Sequence, residues 1–489
     1  MTVVNPKSIS GINSITTGSG SDNLLTIHTS DAANTERLRI DSTGATKIVT
    51  GIVTTLTATT GIVTTLTTNT LTANSTAKVG SGVTLSPDGD VFATGVTTCL
   101  GTAVLGNTIV GAAVTITSSG IEASGIGITV ANINGTQIGG RRNIVINGGM
   151  TVAQRGTSFT STGSEFTIDR FRHEIGSSFN FDTTTTQSSD HPDGFKNSLK
   201  ITPDSVVTPS GSENGAIRYQ IEGQDVQHFA HGTSSAKPMT LSFYAKSASQ
   251  NSGHVYSIQI RKYDPSDSRK YVLKPFTVTD SWQRFSFTFI GDTAESISDT
   301  NGQGMELAWQ LSCGPDDLVS EASTWTSSTK FQGVSGQNNF MDNTSNYFYL
   351  TGVQLEVGSQ ATAFEHRSFG DELALCQRYF YMAASGADSN SATVALCMNF
   401  SSASARAVFH FPVTMRTIPD IYEVGGTNYF KILQAGGTTD LPDSIHGGNE
   451  RPNMAEMSFE DDVSGMTAGQ ASLLRINNSA ARIGFTAEM

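Results

Sequence analysis

Apolar and polar residues alternate through the middle of the chain with the two-residue period of half-buried strands. In MTLSFYA (239–245) that period puts Met239, Leu241 and Phe243 on one face. VYSIQIR (255–261) gathers Tyr256, Ile258 and Ile260, and WQRFSFTFI (282–290) gathers Phe285, Phe287 and Phe289. MELAWQLS (305–312) does the same for Met305, Leu307, Trp309 and Leu311, and YFYLTGVQLEV (347–357) closes the series. Gly, Asp, Asn and Ser punctuate these runs as turn formers do. An antiparallel sandwich with one buried face per sheet is therefore predicted over 141–368, and its size and strand count fit a jelly roll.

Upstream the pattern changes. The first aromatic residue is Phe92 and the second is Phe159, so the N-terminal third cannot build an ordinary core. GIVTTLTATT (51–60) is followed by GIVTTLTTNT (61–70), an internal repeat, and 25 threonines lie between Ser42 and Gly140. Branching at Cβ favours strands, and spaced glycines supply turns. A ten-residue repeat cannot bury its own Ile, Val and Leu, so burial must come from stacking along the chain and from further copies around an axis. A trimeric β stalk over 46–140 is the expectation; the alternative is a disordered Thr-rich linker, against which the apolar alternation weighs. Residues 1–45, with LLTIHTS and the run ERLRID, read as a small β element and the natural attachment point.

Beyond the sandwich, Ser368 with Asp371 three residues later reads as a helix start, and 369–381 as a short connector helix carrying Leu373, Cys376 and Phe380 on one face. The remaining 382–489 read as a compact β knob whose tail, SLLRINNSAARIGFTAEM, forms a hairpin. The fold class is all-β: stalk, sandwich, connector helix and knob.

Charge narrows the functions. The net charge of −13, with no basic run beyond Arg141-Arg142, excludes nucleic-acid binding as a partner class. No stretch approaches 18 apolar residues, so no membrane insertion is expected, and MTVVNPKSIS has no signal-peptide pattern. Cys99, Cys313, Cys376 and Cys397 show no metal-ligand spacing and suit assembly in a reducing cytosol; whether Cys376 and Cys397 pair is open. No cofactor and no metal is expected. The pair in HFAH (His228, His231) lacks a third ligand, while SPDGD (86–90) and YDPSDS (263–268) read as turns.

Three segments resemble those of bacteriophage tail-fibre and virion structural proteins, especially of marine and cyanobacterial phages. NIVINGGMTVAQRGTS (143–158) with IDRFR (168–172) is similar to the entry of that family's carbohydrate-binding-module-like jelly roll. YLTGVQLEVGSQATAFEHRSFGDELALCQRYF (349–380) is similar to its exit strand and connector helix, and FHFPVTMRTIP (409–419) to the start of a C-terminal knob. The resemblance implies a homotrimer in the virion, fixed to other virion proteins by its N-terminus, with distal domains facing a host surface glycan or receptor. A head-decorating or collar fibre of purely architectural role is the alternative.

An enzyme is not expected, because a glycosidase needs two carboxylates flanking a sugar cleft and no acidic pair stands out. Sugar binding needs exposed rings beside Asn, Asp or Gln. Trp325, in the polar stretch EASTWTSSTK, is the first candidate, and Trp282 has opposite parity to Phe285 and Phe287, which points it outward unless a bulge intervenes. Tyr263, Tyr271, Asn338 and Asn339 follow, with Tyr422, Asn428 and Tyr429 around GGTNY as a tip loop of the knob. For each ring the competing reading is a plug closing the end of the sandwich.

Overall fold

The computed structural model describes residues 142–489 except 177–178, 264–268, 329, 387–391 and 462–464, and upstream of 142 Thr43 and short strands alone. Those upstream strands in the unit Met1–Ser124 form three antiparallel meanders. Leu25–His28, Glu36–Ile40 and Thr46–Ile48 make the first, Ala77–Val79, Val83–Leu85 and Val91–Ala93 the second, and Thr108–Val110, Val114–Thr117 and Gly120–Ala123 the third. The repeats at 51–70, SPDGD, Cys99 and most of YDPSDS lie outside the described residues.

The second unit, Gly125–Met489, holds a sandwich and a C-terminal β domain. The sandwich strands are β1 (Ser158–Ser161), β2 (Glu165–Phe166), β3 (Phe171–Gly176), β4 (Thr183–Ser188), β5 (Ser198–Pro203), β6 (Asn214–Glu222), β7 (Met239–Ser247) and β8 (Val255–Tyr263). They continue with β9 (Arg269–Thr277), β10 (Gln283–Phe289), β11 (Gln303–Cys313), β12 (Leu318–Val319), β13 (Ala322–Ser327), β14 (Gly333–Val334) and β15 (Phe348–Val357). One sheet has six strands in the order β1-β4-β5-β15-β7-β10, the other seven in the order β2-β3-β6-β11-β8-β9-β13. Between them lies a single core in which the alternation seen in the sequence becomes burial. Met239, Leu241 and Phe243 face Tyr256, Ile258, Ile260, Leu307 and a fully buried Trp309.

One irregularity shapes the outer surface. Opposite Phe243 the β7–β15 register slips, with Ser242 paired to Gln354 but Tyr244 to Thr351. Gly352 sits in this bulge at φ +61°, a left-handed conformation that glycine alone adopts without cost. A Cβ there would lie 2.7 Å from the Phe195 ring and 2.8 Å from that of Tyr244.

The helix α1 spans Phe369–Gln377, shorter than the expected 369–381. Its start is as the sequence suggests, the Ser368 hydroxyl accepting from Asp371 N at 3.2 Å. Its end differs because Phe380 opens strand β16 (Phe380–Ser385), whose pairing with the last strand of the chain outweighs another turn of helix. The C-terminal domain adds β17 (Thr393–Asn399), β18 (Ser404–His410), β19 (Asp420–Val424), β20 (Phe430–Gln434), β21 (Thr439–Asp440), β22 (Ser444–Arg451), β23 (Met454–Glu460), β24 (Ala471–Ile476) and β25 (Arg482–Thr486). Its sheets run β16-β25-β19 and β21-β20-β24-β17-β18-β23-β22. The expected terminal hairpin is not formed: β24 and β25 enter different sheets, each as an internal strand with two partners. Cys376 and Cys397 are free and buried in separate clusters, so they do not pair.

Sandwich and C-terminal domain are joined by a dense polar cluster. Glu222, at the end of β6, accepts from Arg378 Nε and Nη2, both at 2.7 Å, and from the Tyr379 hydroxyl at 2.5 Å. Arg170 bonds Glu488 while its guanidinium stacks 3.4 Å from the Tyr379 ring centre. Arg416 donates to the carbonyls of Asn301, Ala487 and Glu488. Burial works against the charge of Glu222, but the bonds from Arg378 and Tyr379 outweigh it and hold its pKa below the usual carboxylate range.

Candidate functional site

A sandwich offers two outward sheet faces, and here they differ in kind. On the seven-stranded sheet the outward residues of β6, β8 and β11 are polar yet buried: Arg218, Gln259, Arg261, Glu306 and Gln310. Glu174, Arg218, Glu306 and Arg261 form a chain of ion pairs at 3.2, 3.7 and 3.6 Å. Residues 314–347, which link β11 to β15, fold across this face and lay the Phe331 ring 3.1 Å from the Arg218 guanidinium and 3.8 Å from that of Arg261.

That cover settles the position of several expected site residues. Tyr263 is buried, with Arg261 and Arg269 5.8 and 5.1 Å from its ring. Tyr271 is buried with Leu273 and Val334 in a small apolar cluster under the cover. Asn338 Oδ1 accepts from Val255 N, and Asn339 caps Met341 N, accepts from Ser312 Oγ and donates to Val207 O. These bonds commit both amide atoms of Asn339 and the amide oxygen of Asn338. Trp325 spends its indole N–H on Ile290 O at 2.8 Å and stands edge-on to His231 at 5.4 Å. Its ring is half-buried and packs against the core. His231 is buried, and desolvation aided by Lys262 pushes its pKa down to about 4, so it is neutral near pH 7. Among the described residues no three His, Cys, Asp or Glu side chains are placed to hold a metal.

Asn197 and residues 359–363 cross part of the six-stranded face, bonding Thr351, Gln354, Arg284 and Thr288, and strand register arranges its outward residues in rows. Lys200 on β5 pairs with Tyr349 on β15, which pairs with Lys246 on β7. One row therefore reads Lys200, Tyr349, Lys246, and at the edge by β10 it ends on the half-buried Trp282, 6.0 Å from Lys246 Nζ. The next row is Thr351, Tyr244, Arg284. Lys200, Tyr244 and Tyr349 each stand between two core residues (Tyr349 between Phe348 and Leu350), so strand parity turns them outward. Lys200 Nζ stands 4.8 Å from the Tyr347 ring and 5.5 Å from that of Tyr349, with Lys246 Nζ 5.4 Å from Tyr349 as well.

Asp190 ties one end together. It accepts from the Trp282 indole at 2.9 Å and from Lys246 Nζ at 2.6 Å. Partial burial opposes its ionisation, but these two bonds and the Lys246 charge prevail and hold its pKa below the ordinary value. Burial and the nearby Asp190 raise that of Tyr349. Towards the other end the Tyr244 ring packs 5.3 Å from Phe195, which meets Phe364 and His366 at 5.0 and 5.3 Å. There a cavity of about 230 Å³ opens, lined by Phe195, Lys196, Phe364, His366, Arg367 and Glu372 among others.

Trp282 is thus the one expected site residue of the sandwich that lies on this face. Lys200, Lys246, Tyr244, Tyr347, Tyr349, Arg284 and Asp190 were not anticipated. Their signal was present in the parity of YFYL and FYAK. In the C-terminal domain, Tyr422 packs edge-on against Phe380 at 5.3 Å. Asn428 is exposed at φ +68°, its carbonyl accepting from Asn477, and Tyr429 is half-buried with its backbone bonded to Gly426 and Asn477. None of the three lines the nearby hollow formed by Glu423, Gly425, Ser444 and His446 among others.

No known family and no curated protein matches the sequence. Among solved structures the chain is similar to the enzymatically active domain of tailspike protein 4 of bacteriophage CBA120, at 11% identity and a TM-score of 0.22, over 44% of this chain and 21% of that one. It is similar to the CBM22-1 xylan-binding domain of Paenibacillus barcinonensis Xyn10C at 9% identity and a TM-score of 0.24, over 46% of this chain and all of that one. A family 11 carbohydrate-binding module from Clostridium thermocellum, solved with a β-1,3-1,4-mixed-linked tetrasaccharide, gives 12% identity and 0.23, over 43% and 98%. Likenesses of this size transfer no residue role, and the site stands on its own geometry.

Proposed function

We propose that this chain is the subunit of a homotrimeric bacteriophage fibre, held to the particle through its N-terminal part, and that the six-stranded face of its sandwich binds a host-surface saccharide. The observation that carries the binding half is the row Lys200–Tyr349–Lys246–Trp282 with Asp190 beneath it. Aromatic rings, cations and a carboxylate converge there on the outer sheet face, beside the part that Asn197 and residues 359–363 cross. The reading includes no catalytic step and no cofactor. Weak single sites on three copies per fibre would gain strength by avidity.

The assembly half rests first on the 51–70 repeat, which cannot bury its own apolar residues. The C-terminal domain supplies a second support. Across its seven-stranded sheet Leu433 pairs with Leu473 and Leu473 with Leu396, and Val408 follows on β18, so an aliphatic row crosses four strands on the outward face. Leu396 is 71% and Val408 45% exposed, with Met398 and Phe400 beside them at 53% and 54%. Lys431 and Arg475 lie beside the row towards one edge, and Arg406, paired with Glu456 at 3.1 Å, towards the other, so the row is an apolar stripe between charged residues.

The binding half is tested with the full chain on host cells and on a glycan array, beside Trp282→Ala. Binding by the parent that falls at least about tenfold in the variant supports the reading. A folded parent that binds neither cells nor any saccharide overturns it and leaves an architectural fibre.

A further inference from the structure

We infer that the saccharide taken by this face is acidic, bearing carboxylate or phosphate groups; the inference rests on the proposed binding role and specifies its ligand. The whole chain is acidic, at −13. Against that background the six-stranded face presents Lys200, Lys246 and Arg284 in two adjacent rows, with Lys196 at the rim of the cavity. Lys246 is paired with Asp190, and Arg367 at the cavity with Glu372. Lys196, Lys200 and Arg284 have no carboxylate partner among the described residues. Of the other carboxylates on this face, Glu356 is buried at its far end and bonded to Thr362 and Gln354, and Asp204, just past β5, is held by the Thr184 hydroxyl.

The disposition of the rings points the same way. A neutral sugar is held chiefly by stacking its apolar face on an open aromatic ring. Here Tyr349 is 6% exposed, and both lysine ammoniums lie within 5.5 Å of its ring. Tyr347 carries Lys200 in the same way. What the centre of the face shows to solvent is therefore cation backed by aromatic ring. Neighbouring strands lie about 4.8 Å apart, so Lys200 and Lys246, two strands apart, are separated by roughly 10 Å. That span suits anionic groups on a sugar or on adjoining sugars, each meeting one ammonium through charge-assisted bonds. Trp282, at the edge of the row, is left as the ring with room for a pyranose face.

The test is titration of the full chain with three probes: oligogalacturonate, a phosphorylated mannan oligosaccharide and a neutral cello-oligosaccharide. The first two separate carboxylate from phosphate as the source of the charge. An acidic probe is expected to bind about tenfold or more tighter than the neutral one, and to weaken as salt rises. Lys200→Gln should lower the acidic-to-neutral selectivity about fivefold or more, with Arg284→Gln acting in the same sense, whereas Trp282→Ala should weaken both classes together. Thermal unfolding shows that each variant is folded. A neutral probe that binds as tightly as the acidic ones, or a selectivity untouched by Lys200→Gln and Arg284→Gln, overturns the inference while the saccharide-binding role stands. Absence of binding to all three probes, cells and array overturns both.

Discussion

Replacing Glu222 by Gln tests the joint between the sandwich and the C-terminal domain. The substitution keeps the side chain's size and removes its charge. Glu222 is fully buried and accepts four bonds, two from Arg378 and one each from Tyr379 and Gln224. Stripping a partner from a buried charge typically costs about 3–5 kcal/mol. Arg378 is 30% exposed, however, and water recovers part of that, so about 2–3 kcal/mol is expected here. In a domain of this size that corresponds to a fall in Tm of roughly 5–10 °C. The pH dependence provides a sign that a packing defect would not. Because the folded-state pKa of Glu222 lies below its unfolded value, the unfolded chain binds the extra proton. The contribution is then complete above the ordinary carboxylate pKa of about 4.3 and is lost as pH falls through the lower folded value. Urea unfolding of parent and variant, followed at pH 7 and at steps below pH 4.5, should show a gap that narrows as the medium becomes acidic. A gap under about 0.5 kcal/mol at pH 7, or one that does not depend on pH, refutes the account of the joint.

Two further substitutions probe other parts of the argument. Gly352→Ala forces a side chain at φ +61° into the Phe195 and Tyr244 rings; the backbone term alone costs about 1–2 kcal/mol, so thermal unfolding should move down and saccharide affinity should fall with it. Leu396→Asp with Leu473→Asp puts charge into the exposed aliphatic row, where the folded monomer loses little, and light scattering over a dilution series should show the assembly dissociating at a higher concentration than the parent; an unchanged dilution profile removes the row from the interface.

Much of the fold was legible because a two-residue period has a single physical meaning once one face is buried. Met239, Leu241 and Phe243 lie inside for the reason their spacing gives, and Trp309 with them. Short-range cues hide long-range competition, which is why the connector helix ends early. Phe380 continues the apolar face of α1, but its backbone is claimed by β25 from the far end of the chain. The terminal hairpin failed in the same way, since NNSA between two apolar runs is good turn chemistry whichever sheets the flanking strands join. The ring candidates were chosen from polar surroundings, and a polar neighbourhood in sequence does not locate a side chain in space. Trp325 is flanked by Thr and Ser, yet it closes over His231. Trp282, selected by parity instead, lies half-buried on the outer face of the six-stranded sheet.

The segments that carry the resemblance to fibre proteins lie largely at the joint, although 349–380 also brings Tyr349 and Thr351 to the six-stranded face. Parts of 143–158, 349–380 and 409–419 meet at the joint. Asn143 N bonds Glu365, Arg367 reaches Val145 O, Asn147 N bonds Glu372, and Arg416 N bonds Arg378 O. Ile146, Val152, Cys376 and Tyr379 pack together beneath them. Each such residue answers to several partners at once, so a change there leaves buried donors or charges unmatched, at about 1–3 kcal/mol apiece. Lys200 and Arg284 hold no ion pair, and replacing either removes a half-exposed or exposed side chain from a sheet whose strands stay paired. Such changes typically stay within about 0.5 kcal/mol of neutral. The architecture therefore lets the chemistry of the face be altered almost independently of the fold, while the joint resists change. The division is incomplete at β15, where Tyr349 of the resembling segment 349–380 stands in the middle of the face.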